Sequence, residues 1–225
     1  MESFSNPKLG QELSQIYQNR FHGLDKYRRD VWRILIDKWL CKWVDGKSAV
    51  LDLGAGHGEF ICQISCPNRY AMDLNPDTAT YLTSEVVFLN QDCSKPWDLP
   101  ADSLDIVFTS NFFEHLRTKE DLHNTLLQIH RALKSGGLLL ALGPNIRLIK
   151  GGYWDFWDHH LALTERSLIE LGELCGFVAE ECYAASLPYS MSQGFRPPLW
   201  MLRLYLMLPC TWSLFGKQFF VVLKK

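Results

Sequence analysis

The sequence predicts an α/β fold, a doubly wound and mostly parallel sheet with helices on both faces. Three observations carry this. Short apolar runs recur along the chain, at Ala49–Leu53, Arg69–Asp73, Val86–Leu89, Leu104–Ser110 and Leu138–Leu142. Helical patterns and turn residues separate them. The first run opens onto alternating glycines, Gly54, Gly56 and Gly58, behind the acidic Asp52, and in open α/β sheets ligands bind where such loops leave the strands.

Each element has its own reason. Lys26 to Val44 reads as an amphipathic helix, with Tyr27, Val31, Ile34, Leu35, Lys38 and Trp39 near helical spacing and charges between them. Ala49–Leu53 is a short buried strand. Gly58–Ile64 starts a helix that Pro67 cuts short. Arg69–Asp73 is a second strand ending in an acid, and Val86–Leu89 a third. Leu104–Ser110 is almost wholly apolar, as a strand covered on both faces should be. Lys119–Leu133 is a helix that Gly136-Gly137 ends, and Leu138–Leu142 is the fifth strand. Thr164–Cys175 is a helix capped by Thr164, with Glu165 and Glu170 on its outer face, and Gly176 stops it. Val178–Tyr183 and Gln218–Leu223 are the last two strands.

Ser186–Gly216 is too long for a tight connection. It holds Pro188, Pro197, Pro198 and Pro209 and the apolar run Leu199–Leu208. Arg203 and Pro209 interrupt that run, so it is a poor membrane span. It reads as an inserted helix that packs on the domain or caps the site. The alternative is a peripheral membrane contact through 199–212, or contact with a lipid-linked substrate, with Trp200, Tyr205 and Trp212 at the interface.

The 225 residues are 47% hydrophobic with a net charge of −2, which suits one domain over 1–225, with 1–48 as an N-terminal helical cap and 186–216 as an insertion. No block of like charge suggests nucleic acid. Seven cysteines without paired spacing, and a polar stretch from Met1 to Gln15, read as reduced thiols in a cytoplasmic protein. His159, His160, Cys175 and Cys182 match no common metal spacing, so no metal is expected.

The run Val50-Leu51-Asp52-Leu53-Gly54-Ala55-Gly56-His57-Gly58 resembles motif I of the class I S-adenosylmethionine-dependent methyltransferases. Leu104-Asp105-Ile106-Val107-Phe108-Thr109-Ser110-Asn111-Phe112-Phe113-Glu114-His115-Leu116 is similar to motif IV of their small-molecule, type 11-like branch. The resemblance implies a Rossmann-like sheet of seven strands, the last antiparallel, with S-adenosylmethionine as cofactor. It places Asp52, Gly54, Ala55, Gly56 and Gly58 along the methionine and ribose part. Asp73, about 20 residues after the loop, can accept two hydrogen bonds from a ribose diol, a geometry that serves NAD as well. Leu74 would flank the adenine ring. Asp92 would bond the adenine amino group, and Cys93 would offer its N–H to the ring. Asn111 and Phe112 would face the methionine end and the transferring methyl. Glu114 and His115 either fix this loop through backbone bonds or supply a base at His115. Arg20, near Tyr17 and Phe21, can pair bidentately with the cofactor carboxylate.

Tyr153-Trp154-Asp155-Phe156-Trp157-Asp158-His159-His160 follows the fifth strand on the ligand edge, and Gly151-Gly152 would let it move. Its aromatic faces can stack on a sugar or a planar ring. A hydroxyl acceptor needs a proton acceptor, and His160 fits that role, with Asp158 orienting or replacing it. The expected reaction is O-methylation of a small-molecule, sugar or lipid-linked glycan acceptor. Two rivals remain. One is a non-catalytic cofactor-binding scaffold. The other is an NAD-linked oxidoreductase, although the glycine spacing and the absence of a Tyr-x-x-x-Lys dyad speak against it.

Overall fold

A computed structural model describes residues 25–47, 49–189 and 196–225. Seven strands form one sheet in the order β3-β2-β1-β4-β5-β7-β6. They are β1 (Ala49–Leu53), β2 (Asn68–Met72), β3 (Val86–Leu89), β4 (Leu104–Ser110), β5 (Leu133–Pro144), β6 (Val178–Tyr183) and β7 (Gln218–Lys224). The pairs from β3 through β5 are parallel, while β7 runs antiparallel to both of its neighbours. Seven strands with the last one antiparallel are what the resemblance implies.

Strand residues alternate between two apolar layers. Val50, Ile106, Phe108, Leu140 and Phe220 face helix α1 (Asp25–Leu35) and the insertion. Leu51, Val107, Leu139 and Val221 face α2 (Lys119–Ala132) and α3 (Glu165–Leu174). This explains why β4 reads as a nearly unbroken apolar run. Helix α1 continues through a π turn (Ile36–Leu40) and a last α turn (Cys41–Val44), so the predicted helix is present with a local widening.

Three expectations need correction. Gly58–Ile64 is a series of turns, because Gly58 has φ +67°, a left-handed conformation that no helix starts from. Bonds of 3.0 Å from Cys62 N–H to the Gly58 carbonyl and from Gln63 N–H to the Phe60 carbonyl close turns before Pro67. Gly136-Gly137 does not end α2. The helix passes into β5 at Leu133, and the glycines form an irregularity within β5, where Gly136 N–H donates to the Lys225 carbonyl and Lys225 N–H to that of Gly137. Glu165 lies buried beneath α3, not on its outer face. It accepts from Asn145 Nδ2 at 2.6 Å and Arg147 Nη1 at 3.0 Å, which ties α3 to the turn after β5.

The insertion follows β6 and carries α4 (Leu199–Met207) and a one-turn helix, Trp212–Phe215. Leu206 and Trp212 are buried against the α1 layer, and the Trp212 ring meets those of Trp39, Tyr183 and Tyr205. Trp212→Ala should therefore cost about 3–5 kcal/mol by leaving a cavity. Denaturant unfolding checks this, and a loss below about 1 kcal/mol would mean that the insertion does not stabilise the core.

Candidate functional site

The C-terminal ends of β1, β2, β3 and β4 converge on the glycine loop. Gly54, Gly56 and Gly58 take φ of +71°, +53° and +67°, which explains why the sequence alternates glycine here. The loop is tied to β2. Gly54 N–H donates to the Met72 carbonyl at 2.9 Å, and Gly56 N–H to Asp73 Oδ2 at 2.9 Å. Asp73 Oδ1 accepts from Asn75 N–H at 2.8 Å, and Asn90 Nδ2 from the end of β3 donates to the Asp73 and Leu74 carbonyls. Leu74 itself is exposed at this edge. Beside it, Asp92 Oδ1 accepts from the Ser94 N–H and hydroxyl, and the Cys93 side chain is buried against Thr125.

From the β4 side, Phe112 lies so close to Gly54 that a Cβ there would come 2.3 Å from its ring. Asn111 holds φ +50° and donates its N–H to the Leu142 carbonyl, a left-handed turn that asparagine tolerates better than most residues. Glycine loop and motif IV loop thus touch, and Asp52, Gly54, Ala55, Gly56, Gly58, Asp73, Leu74, Asp92, Cys93, Asn111 and Phe112 all belong to adjacent strand ends and loops at one sheet edge. Arg20, with Tyr17 and Phe21, falls outside the described residues.

Negative charge collects under the loop. Burial raises the Asp52 carboxyl well above 3.8, and the Glu59 and Asp73 charges add to this against a bond from Ile61 N–H. Burial also raises Asp73, opposed by the N–H groups of Asn75, Gly56 and Leu74. Arg28 offsets part of this charge with a 2.7 Å ion pair to Glu59. Sequence reasoning missed Arg28, although a signal was there, since it shares the inner stripe of α1 with the buried Val31 and Leu35. His57 stacks on Tyr81 at 4.0 Å, and burial lowers its imidazole.

The loop after β5 docks on the turn after β4. His160 and Leu161 donate their N–H groups to the Glu114 carbonyl at 2.8 and 3.1 Å. Tyr153 is fully buried, with its hydroxyl on the Leu161 carbonyl, and His159 is buried among Tyr153, Phe156 and His115. Trp154, whose ring meets Tyr153 edge-on, and Trp157, 92% exposed, present aromatic faces to solvent. Asp158, expected to orient His160, lies against His115. His160 is exposed, whereas His115 Nδ1 lies 2.9 Å from the Asp158 carbonyl and 3.2 Å from its carboxylate. Two acceptors on Nδ1 fix its proton there and leave Nε2 as the acceptor. Burial lowers His115, but the bond to Asp158 and the charges of Glu114 and Asp158 outweigh it, so the imidazole is raised above 6.5. Among the described residues, Glu114, His115 and His159 form the one group of three whose ligand atoms, within 4.8 Å of one another, could hold a metal ion.

Comparison with known proteins fits this geometry. Residues 51–141 match the family model of the methyltransferase domain. No curated protein matches the chain. Among solved structures, an S-adenosylmethionine-dependent methyltransferase from Archaeoglobus fulgidus is 21% identical, covers 91% of this chain and 99% of its own, and has a TM-score of 0.65. A TehB-like S-adenosylmethionine-dependent methyltransferase from Corynebacterium glutamicum is 15% identical over 98% of this chain and 100% of its own, at 0.60. A chain from the complex between the Haloferax volcanii Trm112 methyltransferase activator and a methyltransferase is 17% identical over 87% of this chain and 96% of its own, at 0.61. These identities speak for the fold. Residues 51–141 thus match a methyltransferase domain model within the fold these structures share, and S-adenosylmethionine is the cofactor that this match implies. The residues fit that cofactor. It has no phosphate, and the loop lacks the helix N-terminus that a phosphate would use. Its sulfonium is cationic, and the loop is underlain by carboxylates.

Two outcomes are expected. Gly54→Ala adds a Cβ at φ +71° against Phe112, so the protein should fold yet bind S-adenosylhomocysteine at least about tenfold more weakly, seen as loss of its thermal shift. An unchanged shift would show that the loop is not the cradle. Asp52→Asn should raise the midpoint at high pH. A carboxyl raised on folding loses stability as pH climbs from 3.8 through its folded value, so the advantage of the variant should grow with pH and vanish in acid.

Proposed function

We propose that this chain, built around a methyltransferase domain, methylates a hydroxyl of a small-molecule, sugar or lipid-linked glycan acceptor, with His115 as proton acceptor and Asp158 as its positioning residue. The observation that carries this is the contact of His115 Nδ1 with Asp158, four residues after the Asn111 that ends the β4 turn against the glycine loop. When bound, S-adenosylmethionine supplies an electrophilic methyl on a sulfonium, open to in-line displacement. The remaining work falls to the chain.

Asp73 receives the ribose hydroxyls. Its oxygens already accept from Gly56 and Asn75, but each has a second lone pair. Leu74 flanks the adenine, Asp92 takes the amino group through Oδ2, and Cys93 offers its N–H. Asp52, Gly54, Ala55, Gly56 and Gly58 shape the bed, Asn111 and Phe112 bound the methionine end, and Arg20 pairs with the carboxylate. His115 Nε2 then takes the acceptor proton as the oxygen attacks, and Asp158 holds the tautomer and steadies the imidazolium. Trp154 and Trp157 offer stacking faces to the acceptor.

One observation favours a second reading. The ligand atoms of Glu114, His115 and His159 lie within 4.8 Å of one another, so a divalent cation bound there would lower the hydroxyl pKa in place of a base. Chelation separates the two, since only the second predicts loss of turnover that metal restores.

The test is S-adenosylhomocysteine release with a panel of hydroxyl acceptors. The base must be neutral, so the rate should rise with pH through the raised His115 value, above 6.5. Asp158→Asn removes the carboxylate charge that helps to raise it, so the inflection should move to lower pH. His115→Gln should cost about 10²-fold or more in kcat with cofactor binding intact. Full turnover in His115→Gln, or an unmoved profile in Asp158→Asn, would overturn this assignment.

A further inference from the structure

Helix α4 is apolar all round. Its sequence, Leu-Trp-Met-Leu-Arg-Leu-Tyr-Leu-Met, contains one charge. An all-apolar helix is a buried element or one that lies against lipid. The inner stripe of α4 does pack on protein. Leu206 is buried, Leu199, Leu202 and Tyr205 pack on the α1 layer, and Tyr205 donates to the Ser186 carbonyl at 2.6 Å. The outer stripe faces out. Trp200 is 63% exposed, Leu204 48% and Met207 71%, at the i, i+4, i+7 spacing of one helical face. Leu214 and Phe215 of the next turn are 77% and 61% exposed. Single exposed apolar residues are ordinary, but a run of them on one insertion is not.

The charge pattern says what would cover this face. The last carboxylate side chain in the sequence is Glu181, and every charged side chain after it is basic: Arg196, Arg203, Lys217, Lys224 and Lys225. Arg196, Arg203 and Lys217 flank the apolar stripe and are exposed. Where α4 meets α1 the groove is mixed, with Arg33 and Lys38 beside Asp30 and Asp37, so the cationic excess belongs to the insertion. Exposed tryptophan and leucine on an insertion whose own charged residues are all basic match a surface that inserts shallowly into an anionic bilayer, with Asp30 and Asp37 lying in the groove that Arg203 and Met207 share with α1. A helix of nine residues is too short to span one, and no helix among the described residues is long and apolar enough to cross a membrane.

We propose that the outer face of the insertion, Trp200, Leu204, Met207, Leu214 and Phe215 with Arg203, docks on an anionic lipid surface. The face adjoins the cofactor loop through consecutive residues of α1. Tyr27 donates its hydroxyl to the Pro197 carbonyl of the insertion at 2.8 Å, and Arg28 pairs with Glu59 of the loop. Docking would therefore bring the site to an acceptor carried in or on the lipid. The docking itself does not rest on methyl transfer, and it would hold for a scaffold too.

Flotation of the full-length protein with vesicles tests it. One set is phosphatidylcholine alone, and the other contains a third phosphatidylglycerol. The expected result is binding to the anionic set, weakened at least about fivefold by half-molar salt. Trp200→Ser with Leu204→Ser should reduce the bound fraction at least about tenfold, and Arg203→Glu about fivefold. Each change is at an exposed side chain, so the S-adenosylhomocysteine thermal shift of each variant should stay that of the parent and certify its fold. Three outcomes would overturn the proposal: no binding to either set, equal binding by the double serine variant, or a concentration-dependent dimer in sedimentation that those two serines abolish, which would make a second copy the occupant.

Discussion

The architecture of the site depends on one close approach, the ring of Phe112 against the backbone of Gly54. β1 and β4 are neighbours in the centre of the sheet, both covered on two faces, so their loops must leave from the same edge and share its space. A side chain at position 54 would occupy the place of the ring. With glycine there, the β4 loop folds over β1, Asn111 takes its left-handed turn, and the Glu114 carbonyl comes to rest where His160 and Leu161 can donate to it. That carbonyl positions the loop after β5, and the loop delivers Asp158 to His115. A backbone contact at the cofactor bed thus sets the register of groups on the acceptor side.

The same bed is electrostatically costly. Asp52, Glu59 and Asp73 crowd around the loop, and burial disfavours charge on the first and last. One buried guanidinium, Arg28, pairs with Glu59. Apolar side chains would make a more stable bed, as is common where a site works against the fold. The arrangement has a use if the ligand is cationic, because a negative field in a poorly solvated place favours a sulfonium far more than the same charges would in water.

What was legible in the sequence was local. The strands were readable because a buried strand is a short apolar run, and the glycine loop because positive φ leaves glycine little competition. What was illegible depended on contacts across the chain. His115 and Asp158 are 43 positions apart, and the sequence put Asp158 nearer to His160. Nothing local says that Tyr153 and His159 turn inward and carry the Asp158 carboxylate away from its sequence neighbour. Gly136-Gly137 reads as a helix stop until Lys225 pairs with both glycines. Glu165 reads as a surface charge until Asn145 and Arg147 come to meet it. Arg28 was readable, because a cation in the inner stripe of an amphipathic helix requires a buried anion as partner.

The place of the insertion follows from topology. β7 pairs between β5 and β6, so the chain leaving β6 must return across one face of the sheet. One face already carries α2 and α3. The other carries α1, which leaves the wide rings of Trp39, Trp43 and Phe220 to be covered at the β7 end. Trp212 packs on Trp39 of this cluster and on Tyr183, and its indole N–H donates to the Tyr205 carbonyl at 3.0 Å, locking α4 to the turn that follows. Closing this layer explains the inner stripe of α4 in full and the outer stripe not at all. A segment selected only to complete the core would carry polar residues at 200, 204 and 207, as α2 does on its outward side with Glu120, His123 and Asn124. The apolar outer face therefore answers to something beyond the fold, and the insertion's own charged residues, Arg196 and Arg203 with no acid, indicate the charge of what it meets.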